Sequence, residues 1–509
     1  MKSLGCLLAL GALLPLAACN LPTATERGTL HFLIASSPNN LDLRQGTDAQ
    51  SERVGTLIYD ALVEKDDHFN LQPWLATSWE RPDPLTWIFH LRSGVHFHDG
   101  KPLTADDVAW SIRSMTNGAL ITAKGGAFAD VTSIEVRDPL TLIVRTRQAD
   151  ASLLFNLSDG LFGVVEKGAG REEGLHPVGT GPFKFVSQVQ DKEVVVERNP
   201  SYWAGPPKIG HIRFDVVPDA ITMALEMKKG SGDAESSDIT LDMVHALRGL
   251  PNLRTESGPG SIVIYANFNV NDPALRDRRV RQAIACALDR PALIAALWRG
   301  EARPANTFLP TDHWAQASDS QLPLYPHDTA RAVRLLDEAG LKPDKNGIRL
   351  RFTLKTSTDE TTRLVAQAIQ QELHEAGIEL TLRSAEFGTF YSDITKGAFQ
   401  MYILRWIGSN EDPDIFRYAY ATASFPPKGG NRGRYSNPRI DALLQAASAE
   451  TDQAAQRRAY VEVQQILAND LPGIPLWYPN NEVVHSTRLT NVKLDPGGSF
   501  NFLRTAVLQ

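Results

Sequence analysis

The feature that most constrains this chain is the alternation, from Thr29 onward, of short β-rich runs with amphipathic helical ones. Residues 30–35 form a compact apolar strand pattern, followed by the polar turn Ser36-Ser-Pro-Asn-Asn40. Helical spacing follows over 52–63. Farther on, 361–376 places Leu364, Val365, Ala368, Ile369, Leu373 and Ala376 on one stripe. Gly377 stops that helix and 379–383 returns as a strand. Strands at 349–355 and 400–406 and helices at 278–288, 291–298, 327–339, 440–447 and 452–470 complete the second half. Such alternation predicts α/β layers with partly parallel sheet. The stretch 87–147 reads as antiparallel instead. Strands at 87–91 and 95–97 flank Ser93-Gly94, and two more flank Asp138-Pro139. Between them, 104–114 reads as a helix capped by Thr104, with Asp106 and Asp107 favouring its N-terminal dipole.

At 509 residues the chain is long enough for two to four domains. No internal repeat, low-complexity segment or long linker separates them, so the domains are expected to share strands. The formal net charge of −7, with no basic block, argues against nucleic-acid binding and against electrostatic attachment to anionic lipid. Residues 1–18 read as a processing signal. Lys2 supplies positive charge, 4–16 is apolar but too short to span a bilayer, and Leu16-Ala17-Ala18-Cys19 ends it. The pattern matches a bacterial lipobox, which makes Cys19 the expected lipidation site and 19–27 a tether. Of the other cysteines, Cys6 lies in this leader, and Cys286 falls in an apolar helical run and is expected to be a buried core residue. No internal disulfide is expected to staple the body.

Catalytic and metal motifs are sparse. His96 and His98 share a strand face, but no further ligand follows at a fixed spacing, so no metal site is expected. Gly179-Thr-Gly-Pro-Phe183 lacks the Lys-Ser/Thr ending of a phosphate loop and reads as a turn. There is no Gly-x-Ser-x-Gly elbow and no His-Glu-x-x-His. The expectation is a non-enzyme without cofactors.

Several runs then resemble, in order, the peptide/nickel class (family 5) of ABC-importer solute-binding proteins. These are Leu71-Gln-Pro-Trp-Leu-Ala-Thr-Ser-Trp79, the run from Trp87 through His96-Phe-His-Asp-Gly100 to Val108, Gly179-Thr-Gly-Pro-Phe183, Arg198-Asn-Pro-Ser-Tyr-Trp203, Arg278-Arg-Val-Arg-Gln-Ala-Ile284 and Asn431-Arg-Gly-Arg-Tyr-Ser-Asn-Pro438. The resemblance implies a class II periplasmic-binding-protein fold, α/β and two-lobed, that closes by a hinge over its ligand. It implies lobe 1 from 28–53, 177–268 and 483–509, an inserted domain over 54–176 and lobe 2 over 269–482. The hinge is expected at Tyr265 to Asn269 and Pro479 to Glu482. It further implies a monomeric receptor, lipid-anchored in the periplasm or at the cell surface, that delivers a peptide or peptide-like solute to an ABC permease and ATPase.

Peptide-binding relatives hold the ligand ammonium with an aspartate four residues before a proline. In Trp406-Ile-Gly-Ser-Asn-Glu-Asp-Pro413 that position is Ser409, which cannot neutralise a charge. Glu411 is the freer substitute, since Asp412-Pro413-Asp414 reads as a helix start with Asp412 as its cap. Binding candidates are therefore Trp406, Ser409, Asn410, Glu411, Arg432 and Tyr402, with Ser36, Ser37 and Asn39 weaker ones after the first strand. The alternatives are a receptor for a non-peptide solute (an opine, a sugar-like compound or a metal complex) and a ligand-sensing module.

Overall fold

The computed structural model describes residues 28–120 and 122–509, apart from the side chain of Ser409. The expected leader, Cys19 and the expected 19–27 tether lie outside the described residues. One sheet of twelve strands organises the molecule. Its axis is the long strand Gly473–Ser486, which changes partners along its length. Its second half pairs with Leu253–Pro259 on one side and Ala234–Ser236 on the other. Its first half pairs with Val263–Phe268 and Ala302–Pro304. Two lobes follow. Lobe 1 continues through Thr29–Ile34, parallel to both Ala234–Ser236 and His211–Val216. Lobe 2 continues through Met401–Trp406 to the parallel strands Leu350–Ser357 and Ile378–Ala385.

The strand Val263–Phe268 carries most of the first segment expected at the hinge. It pairs only with Met401–Trp406 and with residues 473–477 of the shared strand, so it belongs to lobe 2. The chain crosses earlier, at Gly260, Ser261 and Ile262, beside Pro479 to Asn481. The two crossings run so close that a Cβ on Gly260 would lie 2.3 Å from the Pro479 carbonyl oxygen. Only glycine fits there.

The inserted unit has its own core, from Leu62 through Phe89, Val108 and Ile112 to Val164. It holds a four-stranded antiparallel sheet built from Ala76–Asp83, Thr86–Leu91, Val131–Asp138 and Thr141–Thr146. Three expectations change. The first helix stops at Ile58, and its Val54, Leu57 and Ile58 pack in lobe 1, so the expected start at residue 54 cuts through a lobe 1 helix. Val165 also packs with lobe 1, which moves the far boundary back from 176. Residues 95–97 form no strand; His96 makes only an isolated bridge with Pro102. The capped helix Ala105–Thr116 forms with Thr104 and Asp107 in a reciprocal capping box.

Asp60 locks the inserted unit to lobe 1. Its buried carboxylate accepts hydrogen bonds from Trp74 Nε1 (2.8 Å), Thr180 Oγ1 (2.9 Å), Tyr202 Oη (2.9 Å) and Trp203 Nε1 (3.0 Å). Three of the conspicuous sequence runs thus supply donors to one architectural acceptor. His98 serves the same seam. Its ring contacts the Gly181 carbonyl at 3.0 Å, and burial pushes it down to about 4, keeping it neutral. Among the described residues no group of three His, Cys, Asp or Glu side chains could hold a metal ion. Cys286 is fully buried in the lobe 2 core.

Candidate functional site

The carboxyl ends of the parallel lobe 2 strands are where open α/β sheets hold ligands. Met401–Trp406 runs parallel to Leu350–Ser357 and ends there. Strand alternation turns Tyr402, Leu404 and Trp406 to one face. In mid-strand, Tyr402 is fully buried, accepts a hydrogen bond from Asn267 Nδ2 (2.9 Å) and meets Phe399 edge-on at 4.9 Å. It is core, not cleft. Trp406, at the strand's end, keeps 9% exposure. Its ring stacks on Tyr265 at 5.8 Å and meets Tyr418 edge-on at 5.9 Å.

Arg432 comes to this ring from a loop. The Asn431 side chain shapes the loop by bonding the carbonyls of Ala421 and Tyr435 and the Tyr435 amide. Gly430 allows the approach: a Cβ there would sit 2.5 Å from the Tyr418 ring and 3.1 Å from Trp406. The Arg432 guanidinium lies 5.6 Å from the Trp406 ring centre and 5.0 Å from that of Tyr391. Its Nη2 donates to Tyr391 Oη at 2.7 Å. Arg432 is 4% exposed, yet its Nη1 finds no partner among the described residues, and neither does Trp406 Nε1. Beside them Tyr391 and Tyr418, which touch the guanidinium and the Trp406 ring, are exposed, as are Phe387, stacked on Tyr391, and Ile407, next in the chain.

Tyr391 and Phe387 belong to the helix Phe387–Lys396, which is capped by Glu386 and absent from the sequence reading. Its opening Phe-Gly-Thr lacks helix formers. The same helix lines a polar groove of about 560 Å³ together with Lys355, Arg383, Ser384 and Gln400.

The segment after Trp406 returns to the crossing. Asn410 is fully buried, and its Nδ2 donates to the carbonyls of Ser261 (2.6 Å) and Phe308 (3.2 Å). Glu411 is not free. One carboxylate oxygen pairs with Lys65 Nζ of the inserted unit at 2.8 Å, and the other accepts from Ser261 Oγ at 2.8 Å. The side chains of Lys65 and Glu411 are 15% and 5% exposed, so the pair is an interior clasp between the inserted unit and lobe 2. Beside it, Phe69 stacks on His313 at 5.3 Å and Trp314 N donates to the His68 carbonyl at 3.0 Å.

Asp412 is not a helix cap: the helix Ile415–Tyr420 has Asp414 at that position. Asp412 instead accepts from the Asp414 amide, and burial, with Asp414 beside it, pushes it up to about 7. The side chain of Ser409 lies outside the described residues. On lobe 1, Ser36 is exposed, while Ser37 Oγ accepts from the Asp191 amide at 3.0 Å. Asn39 is engaged with Thr47, Asp48 and Ser51 of its own loop. The structure therefore brings Trp406 and Arg432 together, commits Glu411, Asn410, Ser37 and Asn39 to internal bonds, and buries Tyr402.

Comparison with known proteins agrees with this architecture. The chain is 28% identical over 522 aligned positions to a probable di/tripeptide-binding protein 5 of Pseudomonas aeruginosa, covering 97% of this chain and 96% of that one. It is 29% identical to the glutathione-binding protein GsiB of Pectobacterium atrosepticum, with 92% of each chain covered. Its fold superposes on the structure of HbpA2 from Haemophilus parasuis with a TM-score of 0.84 at 24% identity, covering 94% of this chain and 100% of that one. The model of the bacterial extracellular solute-binding proteins, family 5 Middle, matches residues 70–426, and the chain belongs to that family.

Proposed function

We propose that this solute-binding protein captures a peptide or peptide-like solute between its lobes and delivers it to an ABC importer, binding without turnover. The carrying observation is the half-satisfied aromatic and arginine face of lobe 2, set beside a crossing of only two adjacent strands. Two such crossings leave the lobes free to rotate, and a ligand touching both selects the closed form. The relatives named for di/tripeptides and for glutathione support a peptide-like cargo.

The domain scheme that fits the packing assigns 28–61, 165–259 and 483–509 to lobe 1, 62–164 to the inserted unit and 263–478 to lobe 2, with the hinge at 260–262 and 479–482. Site candidates are Trp406, Arg432, Tyr391, Tyr418 and Ser409, with Ser36 facing from lobe 1. The lipobox supports tethering through Cys19 outside the cytoplasm. Replacing Cys19 by Ala should release the chain from the membrane fraction and abolish palmitate labelling; retention at the membrane refutes the anchor.

Mass spectrometry of solute co-purified with the full chain, followed by calorimetric titration, tests the cargo. A peptide-like compound bound with one-to-one stoichiometry is expected. A bound solute with no peptide character, or chemical turnover of the bound compound, overturns the reading.

A further inference from the structure

The charges on the candidate face do not balance, and they fail in one direction. Arg432 is buried, and among the described residues it forms no ion pair; its contacts are the rings of Tyr391 and Trp406 and the Tyr391 hydroxyl. Aromatic faces recover only part of the cost of burying a guanidinium. Arg432 Nη1 and Trp406 Nε1, both without a partner among the described residues, are pure donors. The other unpartnered oxygens nearby, the Tyr265 hydroxyl and the carboxamide oxygens of Asn267 and Asn410, are neutral and cannot neutralise a cation. The carboxylate nearest in sequence to Trp406, on Glu411, has spent both oxygens on Lys65 and Ser261. A serine, Ser409, stands two residues before it.

We propose that Arg432, with Trp406 Nε1 beside it, receives a carboxylate of the captured solute. The solute then anchors on lobe 2 by its negative end and needs no free ammonium there. This rests on the assignment of that face as the solute site. Amino-blocked or otherwise net-anionic peptide-like compounds are the class that fits. A guanidinium suits this role because its planar donors match a carboxylate two at a time, which an ammonium cannot do.

The test uses the full chain and three probes that differ only at their ends: N-acetyl-trialanine, its C-terminal amide, and trialanine amide with a free amine. Calorimetry should find the acid at least about tenfold tighter than either amide, the scale of one charge-assisted hydrogen bond. Arg432→Gln should erase that preference. Arg432→Lys, which keeps the charge without the planar fork, should retain part of it and guards against a folding defect. If trialanine amide binds as tightly as the acid, or if the preference survives Arg432→Gln, the anion assignment is wrong while the receptor reading stands. If none of the three binds the wild-type chain, the peptide-like cargo itself fails, and this inference with it.

Discussion

The seam between lobe 1 and the inserted unit and the aromatic face of lobe 2 each bury a charged side chain, Asp60 in the first and Arg432 in the second. Asp60 is surrounded by four donors from its own chain, at 2.8 to 3.0 Å. Arg432 has one acceptor at 2.7 Å and an idle nitrogen. Both are nearly inaccessible to water, so burial alone does not separate them. What separates them is completion. A buried charge finished by its own chain is architecture; one left unfinished beneath an exposed surface is waiting for something from outside.

The sharpest way to break this contrast is at the finished end. Asp60→Ala orphans four donors, those of Thr180 and Tyr202 buried and those of Trp74 and Trp203 half-buried, and should cost about 4 kcal/mol in chemical unfolding. A loss below about 1 kcal/mol means the seam does not depend on its acceptor.

Next is a buried carboxyl that the chain itself leaves half finished, Glu235. It is fully buried in lobe 1; one oxygen accepts from the Asp238 amide and the other has no partner. Burial pushes it up to about 8 from 4.5. A raised carboxyl favours folding while protonated. Its contribution is complete below pH 4.5 and is lost as pH climbs through 8. Glu235→Gln should therefore gain about 4 kcal/mol at pH 8 and almost nothing at pH 4.5. An equal effect at both values excludes ionisation as the cause. Third comes the clasp. Lys65→Met leaves Glu411 buried without its cation and should weaken the contact between the inserted unit and lobe 2 by about 3 kcal/mol. That should be seen as an increased scattering radius and weaker solute binding, largely restored by adding Glu411→Gln. An unchanged radius removes the clasp from the closure mechanism. The smallest effect is expected at the unfinished end: Arg432→Gln should shift unfolding by no more than about 1 kcal/mol, even as it removes binding. A large stability loss there would move Arg432 into the architectural group.

Much of this architecture could be read from the residues. Periodicity located most strands and helices, including 361–376, which folds as Glu360–Glu375. Glycine and proline punctuation marked most of the turns. The site was read less evenly. Trp406 and Tyr402 share a strand face, and alternation cannot tell a strand's buried middle from its open end; only the sheet's packing does. Tyr391 was missed with its helix, whose first turn contains a glycine. Glu411 looked free because its partner Lys65 lies 346 positions away, a pairing that no local pattern encodes. Which lobe Val263–Phe268 joins could not be read, because its β-branched character is the same in either sheet.

The strand Gly473–Ser486 also sets an order of events for the polypeptide. Lobe 1 begins with Thr29–Ile34, whose first sheet partners are at 211–216 and 234–236, and the strand that continues its sheet comes almost at the end of the chain. Lobe 2 waits for the same strand to pair with Val263–Phe268. Neither lobe can finish its sheet before residues 473–486 have been made, because both are sealed by that one strand. Contacts so far apart in sequence form slowly. The two lobes of a nascent chain therefore stay open at this seam until that strand has been made, whereas the inserted unit, with its own core and its own antiparallel sheet, needs nothing beyond residue 164.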